Sequence, residues 1–307
     1  MKKPLFILLL CVAPKVYAQV PTTDIYLLDM KQGKGKYSFI NAKKINDWKG
    51  YNNQPYFTPD GKSIYYTSYR NKQADIYRYD VLAKQTIQFT NTPEDEYSPK
   101  LTPDGKYISV VRVMKDSSQQ LWEFPVGGGT PERAIGSDSV AYYTWGHDGG
   151  IKFFAYAVVP EPMNLHGVTV NNIDTLADNK YINDNIIAKN AGRTLQYFYD
   201  NKGSYILFVQ KNKDKTDSIF SINGVSSSFK IKEIVKTLPN CEDFAIGPKD
   251  ILYMGSKGKL YKYQIGKDKT WKEIADFTNT PYQNFYRIAV NEAGDKIALV
   301  AYQGKKP

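Results

Sequence analysis

Short strands dominate the hydrophobic pattern, and they recur in a fixed order. Asp75-Ile76-Tyr77-Arg78-Tyr79-Asp80 alternates apolar and polar side chains, the period of a β-strand. Gln120-Leu121-Trp122-Glu123-Phe124 does the same one unit later. Ahead of each lies a compact apolar, β-rich run: Ile64-Tyr65-Tyr66 in the first unit and Ile108 to Val111 in the second. Ile151 to Phe154 opens a third. Each run follows a turn. Thr58-Pro59-Asp60-Gly61-Lys62 returns as Thr102-Pro103-Asp104-Gly105-Lys106, and Trp145-Gly146-His147-Asp148-Gly149 follows, each copy 44 residues after the last. Asp-Gly between two strands predicts a hairpin, because glycine accepts the positive φ of the tight turn. Thr86 to Phe89 reads as a closing fourth strand. A four-strand unit repeating every forty-odd residues is the signature of a β-propeller blade.

Later units are degenerate but readable. Strand–turn–strand patterns centre on Asn201-Lys202-Gly203, on Pro248-Lys249-Asp250 and on Glu292-Ala293-Gly294. Ser218 to Ile222 and Leu260 to Tyr263 supply third strands for two of them. The last unit ends after two strands. Its missing pair lies at the other end of the chain, where Asp24-Ile25-Tyr26-Leu27-Leu28-Asp29 matches the third-strand pattern and Lys43-Lys44-Ile45 reads as a fourth strand. The expectation is an all-β, six-bladed propeller of four-stranded antiparallel blades, with N-terminal strands closing the last blade. It occupies 19–307 as one domain. Closure leaves no exposed sheet edge. Five or seven blades stay open, since 155–195 is irregular.

Phe89-Thr90-Asn91-Thr92-Pro93, then Tyr97-Ser98-Pro99, then Thr102 through Ile108 is similar to the WD-like repeats of TolB-type propellers, with the clear match over about 54–150. The resemblance implies a binding ring located in the cell envelope, without tying the chain to one system. TolB-type proteins carry an additional N-terminal domain. A chain of 307 residues has no room for it, so the propeller part alone is expected.

The N-terminus reads as a leader. Lys2 and Lys3 precede an apolar run from Leu5 to Val12, and Val16-Tyr17-Ala18 fits a small-residue cleavage site. The expected protein is exported, periplasmic or otherwise outside the cytoplasm, with residues 1–18 cleaved after Ala18. A lipoprotein anchored through Cys11 is the alternative, disfavoured by bulky Leu10 before it. No later segment is long or apolar enough to be a transmembrane span. Loss of the leader leaves one cysteine, Cys241, which cannot form an internal disulfide and reads as a small buried residue. Loss of Lys2, Lys3 and Lys15 takes the formal charge from +10 to +7. The remaining lysines are scattered through turns and make no stripe, so nucleic acid is not an expected partner. A monomer is expected.

The connectors that lead into each first strand open at one mouth of the central channel. Loops on a rigid scaffold are where binding residues gather. Aromatics make up 14% of the chain, with 25 tyrosines, and these connectors are rich in them. Trp48, Tyr51, Asn53, Glu94, Asp95, Tyr97, Asp138, Tyr142, Arg193, Asp243, Tyr282, Asn284 and Tyr286 are the candidate ligand-binding residues. An aromatic and acidic rim suits a protein, peptide or glycan ligand. Carboxylates and amides also suit a hard cation, although no metal site and no cofactor are expected. Asp60, Asp104 and Asp148 recur because the turn recurs, and they read as structural.

Chemistry has thin support. The two histidines, His147 and His166, are not at ligand spacing. No Gly-x-Ser-x-Gly or His-Glu-x-x-His motif occurs. Gly127-Gly128-Gly129 reads as a turn. A non-catalytic binding propeller is the leading expectation. A polysaccharide hydrolase or lyase using acids such as Glu94, Asp95 or Asp243 is the alternative.

Overall fold

A computed structural model describes residues 20–33, 35–148, 151–160, 162–170, 185–200, 203–212, 216–223 and 230–304. The expected leader 1–18, Cys11 and the tips of the third and fourth hairpins lie outside them.

The hairpin pattern becomes six antiparallel four-stranded sheets arranged as a propeller. Blade I holds β3 to β6, at Asn52–Phe57, Ser63–Arg70, Gln73–Asp80 and Gln85–Gln88. Blade II holds β7 to β10, at Asp95–Leu101, Tyr107–Val113, Gln119–Pro125 and Glu132–Arg133. Blade III holds β11 to β14, at Val140–Asp148, Ile151–Val158, Asn164–Val170 and Asn185–Ala188. Blade IV holds β15 to β18, at Ala191–Asp200, Gly203–Gln210, Ser218–Asn223 and Lys230–Lys236. Blade V holds β19 to β22, at Phe244–Gly247, Ile251–Ser256, Lys259–Gln264 and Lys272–Asp276. Blade VI joins the two ends of the chain. Its first strands, β23 and β24, are Phe285–Val290 and Lys296–Tyr302, and its outer strands, β1 and β2, are Thr23–Gly33 and Lys36–Lys44.

The closure is a full ladder. Ile25 pairs with Val300 and Leu28 with Ile297 across β1 and β24. Blade VI differs from expectation at its rim. The fourth strand spans Lys36–Lys44, starting earlier than Lys43, and Ile45 lies just beyond it, buried. The alternation in β2 is weak because this outermost strand faces solvent along most of its length. The irregular stretch 155–195 contains one blade boundary, between β14 and β15.

The apolar runs are buried on both faces because each inner strand meets two neighbouring blades. One hydrophobic cluster fills each of the six interfaces. Ile64 and Tyr66 pack on Ile25, Ala298 and Val300 where blades VI and I meet. Tyr65 and Ile76 pack on Ile108 and Val110 where I meets II. Comparable clusters lie at the other four interfaces. Fully burying one such side chain contributes roughly 1.5–3 kcal/mol, so the ring is held by packing.

The Asp-Gly turns show why that pair recurs. Asp60 Oδ1 accepts from Thr58 Oγ1 at 2.7 Å and from the Lys62 amide at 3.0 Å. Asp104 repeats both contacts, with Thr102 Oγ1 at 2.6 Å and the Lys106 amide at 3.1 Å. Gly61 and Gly105 sit at φ 67° and 73°, where a Cβ would be strained.

Candidate functional site

Every first strand runs from the connector face to the turn face. Residues from all six, including Tyr56, Lys100, Tyr143, Gln196, Ala245 and Ile288, line a narrow axial cavity of about 130 Å³. In blades I and II a proline interrupts the first strand. Pro55 and Pro99 cannot donate to the ladder, and the register shifts between Asn53 and Tyr56 and between Tyr97 and Lys100. Such bulges re-aim side chains. Here Gln54 Oε1 accepts from Thr67 Oγ1 at 2.8 Å and from the Ser98 amide of blade II at 2.9 Å.

The connector end of the channel is closed by one charge network. Asp243, 5% exposed, accepts from Arg193 Nε at 2.9 Å and from Arg287 Nε at 2.9 Å. Arg193 Nη2 also reaches the same carboxylate. Arg287 Nη1 donates to Asn53 Oδ1 at 3.0 Å, and Asn53 Nδ2 donates to Tyr286 Oη at 2.6 Å. Blades I, IV, V and VI are thereby tied at the axis. Burial pushes the Asp243 carboxyl up, but Arg287 and Arg193 outweigh it and hold the group below its usual range. Both guanidiniums titrate above their usual range, the Asp243 charge overcoming the penalty of burial.

Tyrosines surround this network. Burial raises the Tyr51 hydroxyl, against the fields of Arg287 and Arg193, with Tyr142 beside it. Burial likewise raises Tyr97, with Asp95 and Tyr51 adding to it, and Tyr286, where Arg287 opposes. Tyr286 stacks on Tyr302 with ring centres 4.3 Å apart. Both guanidiniums lie 6.0 Å from the Tyr286 ring.

Tyr51, Asn53, Tyr97, Tyr142, Arg193, Asp243 and Tyr286 thus come together around the axis. The other candidates do not join them. Trp48 is 40% exposed and lies 5.7 Å from the Arg70 guanidinium. Asp95 Oδ1 accepts the Ala74 amide at 2.8 Å, tying blade II to blade I. Glu94 is half-buried, and its carbonyl accepts from Gln73 at 2.9 Å. Asp138 pairs with Arg133 at 2.8 Å. Tyr282 packs on Phe277 and Tyr26, with centres 5.3 and 5.1 Å away. Asn284 donates to the Gly304 carbonyl at 2.7 Å and, with Arg193, Asp243 and Tyr286, borders an off-axis cavity of about 490 Å³ between blades V and VI. Cys241 also lines that cavity and is half-buried, more open than expected.

Several residues were not among the candidates. Arg287 follows Tyr286 in β23 and was legible only as one basic residue among many. Glu96 is wholly buried, and Arg112 Nε lies 3.2 Å from its Oε1. Thr92 Oγ1 donates to the same oxygen. Glu96 Oε2 and Asp75 Oδ1 are both buried with no donor as carboxylates, and the two groups face each other across blades I and II. Protonation of either group would give it a donor for the other. Burial raises Glu96 to about 7 and Asp75 to about 6. Among the described residues, no three His, Cys, Asp or Glu side chains are grouped to hold a metal ion.

The turn end is open. A funnel of about 740 Å³ leads inward from the Asp-Gly turns, and Tyr56, Lys100, Gln196, Ile246 and Val290 line both it and the axial cavity.

No protein-family model matches the sequence. An uncharacterized protein of Agrobacterium fabrum is 29% identical over 121 residues, which is 39% of this chain and 37% of that relative's length. Among solved structures, a TolB-type protein of Agrobacterium tumefaciens superposes with a TM-score of 0.59 at 14% identity, covering 93% of this chain and 99% of that one. TolB of Acinetobacter baumannii gives 0.53 at 11% identity, over 94% of this chain and 65% of the other. An oligogalacturonate lyase in complex with manganese gives 0.53 at 11% identity, over 88% and 83%. The chain has the TolB-like six-bladed architecture. At these identities the likeness speaks to fold.

Proposed function

We propose that this chain is an exported, non-catalytic binding propeller whose channel mouth on the connector face takes a protein, peptide or glycan of the cell envelope. The observation that carries the reading is the tyrosine cluster built around the Arg193–Asp243–Arg287 network. Its hydroxyls and rings are held by a charge-satisfied base, which is a preorganised surface for hydrogen bonding and stacking. Asp243 is ionised and engaged by two guanidiniums, so it is suited to fixing geometry and not to moving protons. Asp95 is spent on the Ala74 amide. The leader-like start and the TolB-type neighbours support an envelope location.

A polysaccharide hydrolase or lyase is the second reading, favoured by the lyase among the structural neighbours. One experiment separates the two. The purified chain is screened on peptide and glycan arrays, and each ligand found is incubated with it and followed for turnover. Binding weakened by Tyr51→Ala or Tyr142→Ala, without product, supports the binding reading. Product whose formation stops in Glu94→Gln or Asp95→Asn overturns it.

A further inference from the structure

We infer that the turn-face funnel is a second binding site, one that takes the C-terminal carboxylate of an extended peptide against the Lys100 ammonium inside the channel. The site lies at the opposite end from the connector mouth and does not depend on the reading given to that mouth.

The inference starts from a charge with no counter-charge. Lys100 comes from β7 just after the Pro99 bulge and lines both the funnel and the axial cavity. Among the described residues no ion pair reaches its ammonium, which lies 6.0 Å from the centre of the Tyr56 ring. Burial and the Arg287 charge lower its pKa to about 8. Lys100 is half-buried, and an ammonium set back in a channel without a counter-charge gives up part of its hydration for nothing in return. Asp243 cannot serve it, being taken by Arg193 and Arg287. Arg193 has a second carboxylate in Glu242, 3.9 Å away and shared with Lys211, but neither Glu242 nor Asp243 is within contact of Lys100, and an anion has an open path to it from the funnel.

The funnel says which anion. Its wall is aromatic: Tyr56, Phe57, Trp145, Tyr197, Phe198 and Tyr199. Trp145 is fixed by donating to Ser109 Oγ at 2.7 Å, whereas Tyr199 is 63% exposed at the entrance. Its rim carries Asp104, Asp250 and Glu292 against Lys249. A polymer charged at every residue would meet these carboxylates on the way in. A chain with apolar or neutral side chains and one negative charge at its tip would not. An extended peptide ending in a free carboxylate has that distribution, and the axial cavity of about 130 Å³ admits little more than its last group.

The test uses a pool of N-acetylated random tetrapeptides in two forms, free acid and C-terminal amide. Each is equilibrated with the full chain, and retained peptide is measured by affinity-selection mass spectrometry. Retention of free-acid peptides about tenfold or more above their amides is expected, the size of one charge-assisted contact. Lys100→Met should bring free acids down to the amide level, and Lys100→Arg should keep part of the preference. Circular dichroism melts of both variants must match the parent, and Lys100→Arg carries the comparison if the Met variant does not. Equal retention of the two forms, retention of neither, or a preference that survives in Lys100→Met overturns the inference. Lys100-dependent binding of an oligouronate in place of the peptides overturns it as well.

Discussion

At the connector end of the channel, the buried carboxylate Asp243 meets two guanidiniums, and Asn53 and Tyr286 extend the network outward. At the turn end, the Lys100 ammonium faces an aromatic funnel with no carboxylate at contact distance among the described residues. Both ends use the same six strands, so the scaffold does not explain the contrast. The difference lies in how charge set into the channel is met: at one end by protein groups, at the other, among the described residues, by none. A satisfied network fixes geometry and resists change, while an unmet charge is held at some cost to stability and stands ready for a ligand.

The largest effect should follow from breaking the satisfied end. Asp243→Ala leaves Arg193 and Arg287, both half-buried, without the carboxylate they share, and among the described residues Arg193 retains only Glu242 Oε2 at 3.9 Å. Removing one member of a buried ion pair costs about 3–5 kcal/mol. Both arginines keep some contact with water, so guanidinium chloride unfolding should show a loss at the lower end of that range. A change under about 1 kcal/mol would mean that water and Glu242 replace the lost carboxylate.

Next comes a third way of handling buried charge, at the border of blades I and II near the connector end. Glu96 and Asp75 have folded pKa values of about 7 and about 6, both above the ordinary carboxyl range, with burial as the main cause. The folded form therefore holds protons that the unfolded chain has released. That contribution is complete below the ordinary carboxyl range and is lost as pH rises through about 7. The pair titrates as a unit. Stability should fall by on the order of 1–3 kcal/mol between pH 5 and pH 8. Asp243, held low by its arginines, gives the opposite slope, but only at more acid pH. Glu96→Gln should flatten the curve between pH 5 and pH 8, and an unchanged slope would place the proton elsewhere.

The ring was legible in the sequence because its signals are local. Asp60-Gly61 and Asp104-Gly105 mark hairpins by turn chemistry, and Ile108 to Val111 marks a strand packed on both faces. Blade closure was legible too, since Asp24 to Asp29 repeats the pattern of Asp75 to Asp80. The site was legible only as a neighbourhood. Connector residues such as Tyr51 and Arg193 converge because all six first strands begin at one mouth. Which connector residues turn inward depends on bulges, and Glu94 and Asp95 show that adjacent acids can be used for tying blades together instead. Glu96 stood among the acids of the 91–97 connector with nothing to mark it apart from Glu94 and Asp95, and Lys100 carried no sequence signal. Their character comes from partners 16 to 187 residues away: Arg112, Asp75 and Arg287.

A smaller effect tests the outer edge of the satisfied end. Tyr286→Phe keeps the stack on Tyr302 and removes the hydroxyl that Asn53 Nδ2 binds at 2.6 Å. Loss of one such hydrogen bond costs about 0.5–1.5 kcal/mol. Thermal melts should detect it, and no shift would mean that water replaces the hydroxyl.

The smallest effect should have the opposite sign. Lys100→Met removes a charge whose lowered pKa records a preference for the neutral form inside the channel, and it keeps the long apolar stem. In the unfolded chain the ammonium is fully hydrated, so folding desolvates it without supplying a partner. Open water in the channel limits that cost, and a gain of about 0.5 kcal/mol is expected at pH 7, near the range of ordinary surface changes. Asp243→Ala and Lys100→Met both delete one charge from the axis. If the two ends differ as the network suggests, the first destabilises strongly and the second does not destabilise at all. A loss above about 1 kcal/mol in Lys100→Met would show that the ammonium already has a counter-charge, and the two ends would then be alike.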